Sequence, residues 1–229
     1  MGLKVLMNSR FFPNFAFLPY PLQIQNINLP GGPFSLLVPD ENKVSLIFSQ
    51  LRAKNSLEPS PYWARLWPSA IALATFIRQH PGCVSGRLVA ELAAGVGLPS
   101  LVAAPFAQKV WCSDLVAEAM EVAAKSAEYH GFQNITFTTC NWNQLPEELI
   151  PDVLLLSDVN YEPEVFASLQ AVIYGFLEKG TTILLATPQR LMAKSFIEKL
   201  LPFVVDQSVE EVWLNDQPDT VSIFVLQKI

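Results

Sequence analysis

Apolar residues follow a regular alternation of two patterns from residue 86 onward. Short segments that are apolar on both faces alternate with longer segments in which apolar residues recur every three or four positions. A strand that is apolar on both faces is buried on both, which is typical of a parallel sheet covered by helices. The short segments predict five such strands, at residues 87–93, 109–114, 135–141, 152–158 and 181–187.

The longer segments predict helices, and glycine ends two of them. Residues 114–131 end at Gly131 and residues 162–180 end at Gly180. Glycine is typical of helix C-termini because it adopts left-handed backbone angles at little cost. A third helix is predicted over 190–203. The alternation therefore predicts an α/β fold with a Rossmann-like, doubly wound and mostly parallel sheet, which binds ligands at the carboxyl ends of its strands.

Two pairs of strand-like segments fall outside this alternation. Residues 208–215 and 220–228 flank a short polar turn and predict an antiparallel C-terminal hairpin that closes one edge of the sheet. Residues 21–39 predict another hairpin, joined by Pro-Gly-Gly and followed by a helix over 40–54. A further helix is predicted to begin near Pro68.

These patterns divide the chain into two parts. Residues 1–60 form an N-terminal extension of hairpin and helix, which we expect to act as a lid or to recognise the substrate. Residues 61–229 form the α/β domain that would carry the chemistry. No internal repeat or low-complexity tract interrupts either part.

The composition is that of a large globular domain with an acidic surface. Of the 229 residues, 51% are hydrophobic and 16% are charged, which allows a large core and argues against disorder. The formal net charge is −6. Because phosphate groups bind basic surfaces, this charge argues against nucleic acid as the main partner and suits a cationic substrate.

The sequence predicts a cytoplasmic monomer without a membrane anchor or a metal. Its apolar runs are too short to span a bilayer, and Asn8, Ser9 and Arg10 interrupt the apolar start that a signal peptide would need. Three cysteines without paired spacing favour a reducing compartment. With only two histidines beside them, they do not form a convincing metal site.

A glycine-rich turn follows the first strand of the alternation. Glu91 lies in that strand, and Gly95 and Gly97 lead into the next helix. Glycine lets backbone N–H groups approach a ligand closely, and a helix N-terminus favours an anionic group. The turn is also one substitution, at Ser100, from a dinucleotide-binding fingerprint. A tight turn that binds no ligand is the simpler alternative.

Polar side chains also mark the ends of the next three strands. Asp114 suits the hydroxyls of a ribose, in either a nicotinamide cofactor or S-adenosylmethionine, or else caps the next helix. Asn141 and Trp142 suit the edge and the face of an adenine, although a lone tryptophan is more often part of the core. Asp158 and Tyr161 suit a cation, which a carboxylate and an aromatic ring both attract, or else cap and staple the next helix.

Together these strand ends resemble those of the class I S-adenosylmethionine-dependent methyltransferases. Within that class the chain resembles the protein-lysine methyltransferases that carry a DxxY motif. The matching segments are PYWARLWPS at 61–69, ELAAGVG at 91–97 and DVNY at 158–161. The resemblance covers residues 60 to 190, and the first sixty residues match loosely. Ala93 departs from the pattern, because many relatives have glycine there, and alanine is tolerated if its φ is negative.

The resemblance implies a role for each matching residue. In the cofactor site, Trp67 would lie near the methionine portion, Asp114 would hold the ribose, Trp142 would cover the adenine and Ser157 would touch the cofactor from the fourth strand. The loop at the methionine end would comprise Ala93, Ala94, Gly95 and Gly97, supported by Glu91 from the strand. Asp158 and Tyr161 would form the pocket for the acceptor amine.

The expected activity is therefore methylation of an amine with S-adenosylmethionine as the cofactor, and the expected acceptor is a lysine side chain of another protein. Such an enzyme aligns a neutral amine with the methyl group and excludes water, so it needs neither a metal nor a covalent nucleophile. Three alternatives remain from the residues. They are a small-molecule amine acceptor, an NAD(P)-dependent oxidoreductase, and a binding module that keeps the fold without the chemistry.

Overall fold

The computed structural model describes residues 18–54, 60–160, 162–214 and 217–228, which form one sheet of two strands and one of seven. The strands are β1 (Leu22–Leu29), β2 (Gly32–Pro39), β3 (Leu88–Leu92), β4 (Lys109–Asp114), β5 (Ile135–Thr139), β6 (Val153–Ser157), β7 (Thr182–Pro188), β8 (Val204–Leu214) and β9 (Gln217–Leu226). The α-helices are α1 (Glu41–Lys54), α2 (Pro68–Gln79), α3 (Leu98–Ala103), α4 (Ala117–His130), α5 (Phe166–Glu178) and α6 (Lys194–Leu200). No helix in the described ranges is long and apolar enough to cross a bilayer.

The large sheet has the strand order β5–β4–β3–β6–β7–β9–β8. Strands β3 to β7 are parallel to one another, whereas β9 runs antiparallel to both β7 and β8. The strand order reverses between β4 and β6 around β3, and in open α/β sheets ligands bind at such a reversal. The predicted doubly wound sheet and its antiparallel C-terminal hairpin are confirmed.

Helices cover both faces of this sheet, and β6 shows why its sequence is apolar throughout. Val153 and Leu155 join an apolar cluster that contains α2 and α3, whereas Leu154 and Leu156 join one that contains α5 and α6. All four side chains are fully buried. Each such burial stabilises the fold by about 1.5–3 kcal/mol relative to an exposed side chain.

The N-terminal hairpin and helix also form as predicted. Gly31 makes the turn between β1 and β2 with a φ of 83°. The hairpin packs on α4, where the backbone N–H of Leu37 donates to the hydroxyl of Ser126 over 3.0 Å. At the start of α1, Oδ1 of Asp40 accepts from the backbone N–H of Asn42 and Lys43, as an N-cap residue does. The division of the chain at residue 60 stays a prediction.

Several predicted boundaries differ from the observed ones, most of all near residue 200. The helix predicted over 190–203 contains only α6 as regular α-helix, with 3₁₀ turns at 191–193 and 201–203. Pro202 accounts for the early end, because it has no backbone N–H to continue the α-helical hydrogen bonds. Strand β8 then begins at Val204, four residues before the predicted start at 208.

Candidate functional site

A cavity of about 780 Å³ opens at the carboxyl ends of β3, β4 and β6. Its walls come from the loops that follow these strands, from the segment before α2 and from one face of α1. Its size lies in the range of about 300–1,000 Å³ that is typical of small-molecule and cofactor sites. Nine of the predicted site residues line it: Trp67, Ala93, Ala94, Gly95, Asp114, Asn141, Trp142, Ser157 and Asp158.

The loop after β3 has the tight geometry that its glycines predict. Gly95 has a φ of 53°, and a Cβ atom there would lie 3.1 Å from the carbonyl oxygen of Trp63. Ala93 has a φ of 52°. The condition under which an alanine is tolerated here, a negative φ, is therefore not met. The loop needs a left-handed residue at this position, and an alanine there carries a strain of roughly 1 kcal/mol.

Glu91 and Gly97 lie behind this loop and do not line the cavity. Glu91 is fully buried, and its Oε2 accepts a 2.9 Å hydrogen bond from the backbone N–H of Ser100 in α3. Burial raises the pKa of Glu91 to about 8, so the side chain is largely protonated at neutral pH. Gly97 precedes α3 with a φ of 75°, and a Cβ atom there would lie 3.0 Å from Cβ of Ala123. Both positions suit support of the loop.

Asp114 ties the second strand end to the glycine loop. Its Oδ2 accepts from the backbone N–H of Gly95 over 2.8 Å, and its Oδ1 accepts from that of Val116 over 3.0 Å. Burial raises the pKa of Asp114, and these backbone hydrogen bonds oppose the shift. Asp114 is not the cap of the next helix, because Val116 is the N-cap residue of α4. The carboxylate instead lies in the cavity wall, where each oxygen has a second lone pair for a ligand hydroxyl.

Two tryptophans lie on the same cavity. Trp142 begins a short 3₁₀ turn after β5, and Oδ1 of Asn141 accepts from the backbone N–H of Asn143 to start that turn. The side-chain oxygen of Asn141, which was predicted to bind the adenine edge, is therefore occupied by this capping hydrogen bond. Trp67 precedes α2, and its indole N–H donates to the carbonyl of Tyr62 over 3.0 Å. The guanidinium of Arg65 lies 5.3 Å from the Trp67 ring centroid.

Asp158 forms an ion pair instead of capping the following helix. The guanidinium of Arg190 donates to its two oxygens, over 2.5 Å from Nη1 to Oδ1 and 3.3 Å from Nη2 to Oδ2. Asp158 is 7% exposed and has a φ of 55°. Burial raises the pKa of its carboxyl, and Arg190 opposes that shift. Glu162 is the N-cap residue of the next 3₁₀ turn. The other predicted acceptor residue, Tyr161, lies outside the described residues.

Sequence reasoning missed several residues of this site. Trp63 and Tyr20 line the cavity with ring centroids 6.1 Å apart, and the buried Tyr20 hydroxyl meets no hydrogen-bond partner among the described residues. The sequence could have predicted the face of α1 in the cavity wall, because its apolar residues have the i, i+3, i+4, i+7 spacing of one helix face: Val44, Ile47, Phe48 and Leu51. It could also have predicted a role for Arg190, which follows the carboxyl end of β7.

With this geometry established, comparison with known proteins identifies the family. Residues 49–202 match the family described as lysine methyltransferase. The chain belongs to the lysine methyltransferase family. This is a family of S-adenosylmethionine-dependent methyltransferases, so the predicted family, enzyme class and cofactor are confirmed at the level of the family.

The names of similar curated proteins describe methylation of two different residue types, arginine and lysine. The chain is 30% identical over 143 residues to the histone-arginine methyltransferase METTL23 of Homo sapiens, which covers 59% of this chain and 75% of that protein. It is 26% identical over 132 residues to the electron transfer flavoprotein beta subunit lysine methyltransferase of Mus musculus, covering 57% and 51%. The chain spans about half the length of most of the curated relatives it matches.

Solved structures share the fold at low sequence identity. The N-methyltransferase NodS of Bradyrhizobium japonicum, in complex with S-adenosyl-L-homocysteine, aligns with a TM-score of 0.58 at 13% identity, over 78% of this chain and 98% of that one. A putative RNA methyltransferase of Pyrococcus horikoshii aligns with a TM-score of 0.59 at 17% identity, over 83% and 100%. These alignments confirm the Rossmann-like methyltransferase fold.

Features of the cavity itself fit a nucleoside cofactor. Gly95 leaves room for backbone approach where a Cβ would collide, and the Tyr20 hydroxyl is buried at the wall with no hydrogen-bond partner in the described part of the chain. Asp114 offers carboxylate oxygens in a wall that also contains Trp67 and Trp142, which suits a sugar and a base. In the described part of the chain, no group of three His, Cys, Asp or Glu side chains could hold a metal ion.

Proposed function

We propose that this chain is an S-adenosylmethionine-dependent N-methyltransferase that modifies a lysine side chain of another protein. The observation that carries the proposal is the convergence of three strand ends on one cavity. There the glycine loop after β3, Asp114 after β4 and Asp158 after β6 all lie in the wall. Membership of the lysine methyltransferase family supports the same assignment.

Different residues of the chain would bind different parts of the cofactor. Asp114 would accept the ribose hydroxyls, Trp142 would cover the adenine, and the loop 93–97 would hold the methionine end with its backbone. Glu91 and Gly97 would support that loop from behind. Trp67 and Ser157 would contact the cofactor from either side. The cofactor, when bound, supplies an electrophilic methyl group.

The acceptor end of the cavity would bind and orient the attacking nitrogen. Asp158 would accept a hydrogen bond from it, and Tyr161 would contribute its ring. Alignment of the nitrogen and exclusion of water account for most of the rate in such a displacement. Val44, Ile47, Phe48 and Leu51 on α1 would cover the aliphatic stem of a lysine, which keeps the approach to the nitrogen apolar.

An arginine side chain is a second candidate acceptor, and one contact favours it. Asp158 already binds a guanidinium in this chain, that of Arg190, through both oxygens. The pocket carboxylate is thus compatible with the planar group of an arginine. The METTL23 relatives are named as histone-arginine methyltransferases. A small-molecule amine remains a third alternative, because nothing in the pocket itself requires a protein.

The net charge and the cysteine content support a proposed substrate and a proposed cellular compartment. The net charge of −6 supports a basic protein segment as substrate, and it argues against nucleic acid. We propose that the chain acts as a cytoplasmic monomer, since its three free cysteines suit a reducing compartment.

Methylation of a defined set of proteins tests the proposal. The purified chain is incubated with tritium-labelled cofactor and either core histones or a hypomethylated lysate, and labelled bands are analysed by mass spectrometry. We expect a labelled protein with the methyl group on a lysine. Label on arginine alone selects the second candidate. If wild-type protein that binds S-adenosylhomocysteine labels no protein above a reaction without enzyme, protein methylation is wrong.

A further inference from the structure

The pairing of Asp158 with Arg190 has a consequence for the acceptor site. A carboxylate that binds an acceptor amine has two opposing effects on it. It must hold the nitrogen, yet an unpaired negative charge beside an amine stabilises the ammonium form, whose nitrogen has no lone pair for attack. The fold places a guanidinium on that carboxylate before any acceptor arrives.

The contact has the geometry of a specific pair. Both guanidinium nitrogens point at separate oxygens of Asp158, at 2.5 and 3.3 Å. The Asp158 side chain is 7% exposed and lies in the cavity wall, whereas the Arg190 side chain is 31% exposed, so the guanidinium is the more solvent-accessible partner. The backbone N–H of Asp158 donates to the carbonyl of Ala186 in β7, which fixes the carboxylate beside the turn that carries Arg190.

Other charged groups near the pair are acidic. Asp219 on β9 acts on Asp158 through its charge, and Glu162 lies in the same cavity wall. Arg65 is a cation in the cavity wall, but it lies over the ring of Trp67. Arg190 is therefore the cation in contact with Asp158 among the described residues. Without it, the acceptor end would carry an uncompensated negative charge.

We propose that Arg190 is a positioning residue that cancels the negative charge of Asp158 and fixes its two oxygens at the acceptor end of the cavity. Its two donors occupy one lone pair on each oxygen, and the other lone pairs remain for the acceptor N–H. The acceptor nitrogen then meets a neutral ion pair, which orients it without holding a proton on it. This role rests on the proposed function, because it concerns the acceptor of that reaction.

The proposed role of Arg190 does not depend on whether the shared proton lies on Asp158 or on the acceptor amine. In the absence of Arg190, a carboxylate and an amine in contact share one proton, either as carboxylate and ammonium or as acid and amine. Arg190 favours the form that has lost this proton. The attacking nitrogen is therefore neutral at a lower pH than it would be beside an unpaired Asp158.

Titration of Asp158 by carbon-13 NMR tests the charge cancellation directly. The carboxyl signal is assigned by its loss in Asp158→Asn and followed against pH in wild type, Arg190→Ala and Arg190→Lys. We expect the midpoint to rise by about 1–3 units in Arg190→Ala and by less in Arg190→Lys. Methylguanidinium added to Arg190→Ala is expected to lower the midpoint again, and to leave that of wild type unchanged.

Matched controls separate charge from misfolding. Arg87 is also partly buried but lies at the far end of the sheet, so Arg87→Ala is expected to leave the Asp158 midpoint unchanged. Tetramethylammonium, a cation without N–H donors, is expected to have no effect on Arg190→Ala. An unchanged midpoint in Arg190→Ala, or one that methylguanidinium does not lower, overturns the proposal. Because the titration needs neither cofactor nor acceptor, its outcome is separate from that of the methylation assay.

Discussion

The backbone N–H of Gly95 donates a 2.8 Å hydrogen bond to Oδ2 of Asp114, which joins the ends of two adjacent parallel strands in the wall of the cavity. The contact links the two features of the sequence that favoured a nucleoside cofactor. The carboxylate holds the loop in its left-handed conformation, and the loop in turn holds the carboxylate in the wall. A change in either residue is therefore expected to affect the other.

Gly95→Ala is expected to destabilise the protein and to weaken cofactor binding. The added Cβ would lie 3.1 Å from the Trp63 carbonyl, at a φ of 53° that alanine adopts only with strain. A cost of about 1–2 kcal/mol is expected from the conformation alone. Chemical denaturation measures it. Gly175→Ala is the matched control, because outside its own stretch of helix no atom of the described residues lies within 4 Å of the added Cβ, and it is expected to be neutral or stabilising.

Ala93→Gly is expected to stabilise the loop, in contrast to most changes to glycine. Ala93 has a φ of 52°, where glycine has no Cβ clash. The relieved strain and the greater entropy of unfolded glycine oppose each other, so the net gain is expected to be about 1 kcal/mol or less. Thermal and urea unfolding measure this. A loss of stability above 1 kcal/mol would contradict strain at Ala93.

Glu91→Gln is expected to flatten the pH dependence of stability. The folded pKa of Glu91 is about 8, above its ordinary value of 4.5, because burial disfavours the charged form. Its stabilising contribution is therefore complete below about pH 4.5 and is lost as the pH rises toward 8. Glutamine keeps an acceptor for the Ser100 N–H and cannot ionise.

The free energy of unfolding of both proteins, measured from pH 5 to pH 8.5, checks this. The difference between variant and wild type is expected to shift in favour of the variant as the pH rises. Other buried carboxyls titrate in both proteins and cancel in the difference. A difference that stays constant over this range would show that Glu91 is ionised in the folded protein throughout.

Asp158→Asn is expected to impair methyl transfer without impairing cofactor binding. The amide keeps the size of the side chain but loses the charge that binds Arg190 and one of the two oxygens that can accept from the acceptor. A misplaced acceptor costs about a hundredfold in rate, so kcat/KM is expected to fall by at least that factor. Affinity for S-adenosylhomocysteine is expected to change little. Unchanged turnover with intact binding would remove Asp158 from the acceptor site.

Much of the fold was readable because its signals are local. Apolar runs such as that of β6 and helix ends such as Gly131 depend on neighbouring residues alone. The positions of Asp114 and Trp142 on one cavity followed from a rule about parallel strand ends, which needs no distances. The rule places a residue at the correct edge of the sheet. It does not say where the side chain points.

What the sequence did not predict depends on contacts between distant residues. Thirty-two positions separate Asp158 from Arg190, and their pairing replaced the helix cap that was one reading of Asp158. The approach of Trp63 to Gly95 likewise depends on how the segment before α2 crosses the loop. The left-handed φ at Ala93 follows from the path of the loop. The conformational preference of alanine alone would have predicted a negative φ.

Calorimetric titration with S-adenosylhomocysteine tests the cofactor site most directly. Wild type is compared with Asp114→Ala, and with Asp206→Ala as a control for an exposed carboxylate far from the cavity. We expect micromolar binding by wild type and by Asp206→Ala, and at least tenfold weaker binding by Asp114→Ala. No binding by folded wild-type protein would contradict a methyltransferase and favour a module that keeps the fold without the chemistry.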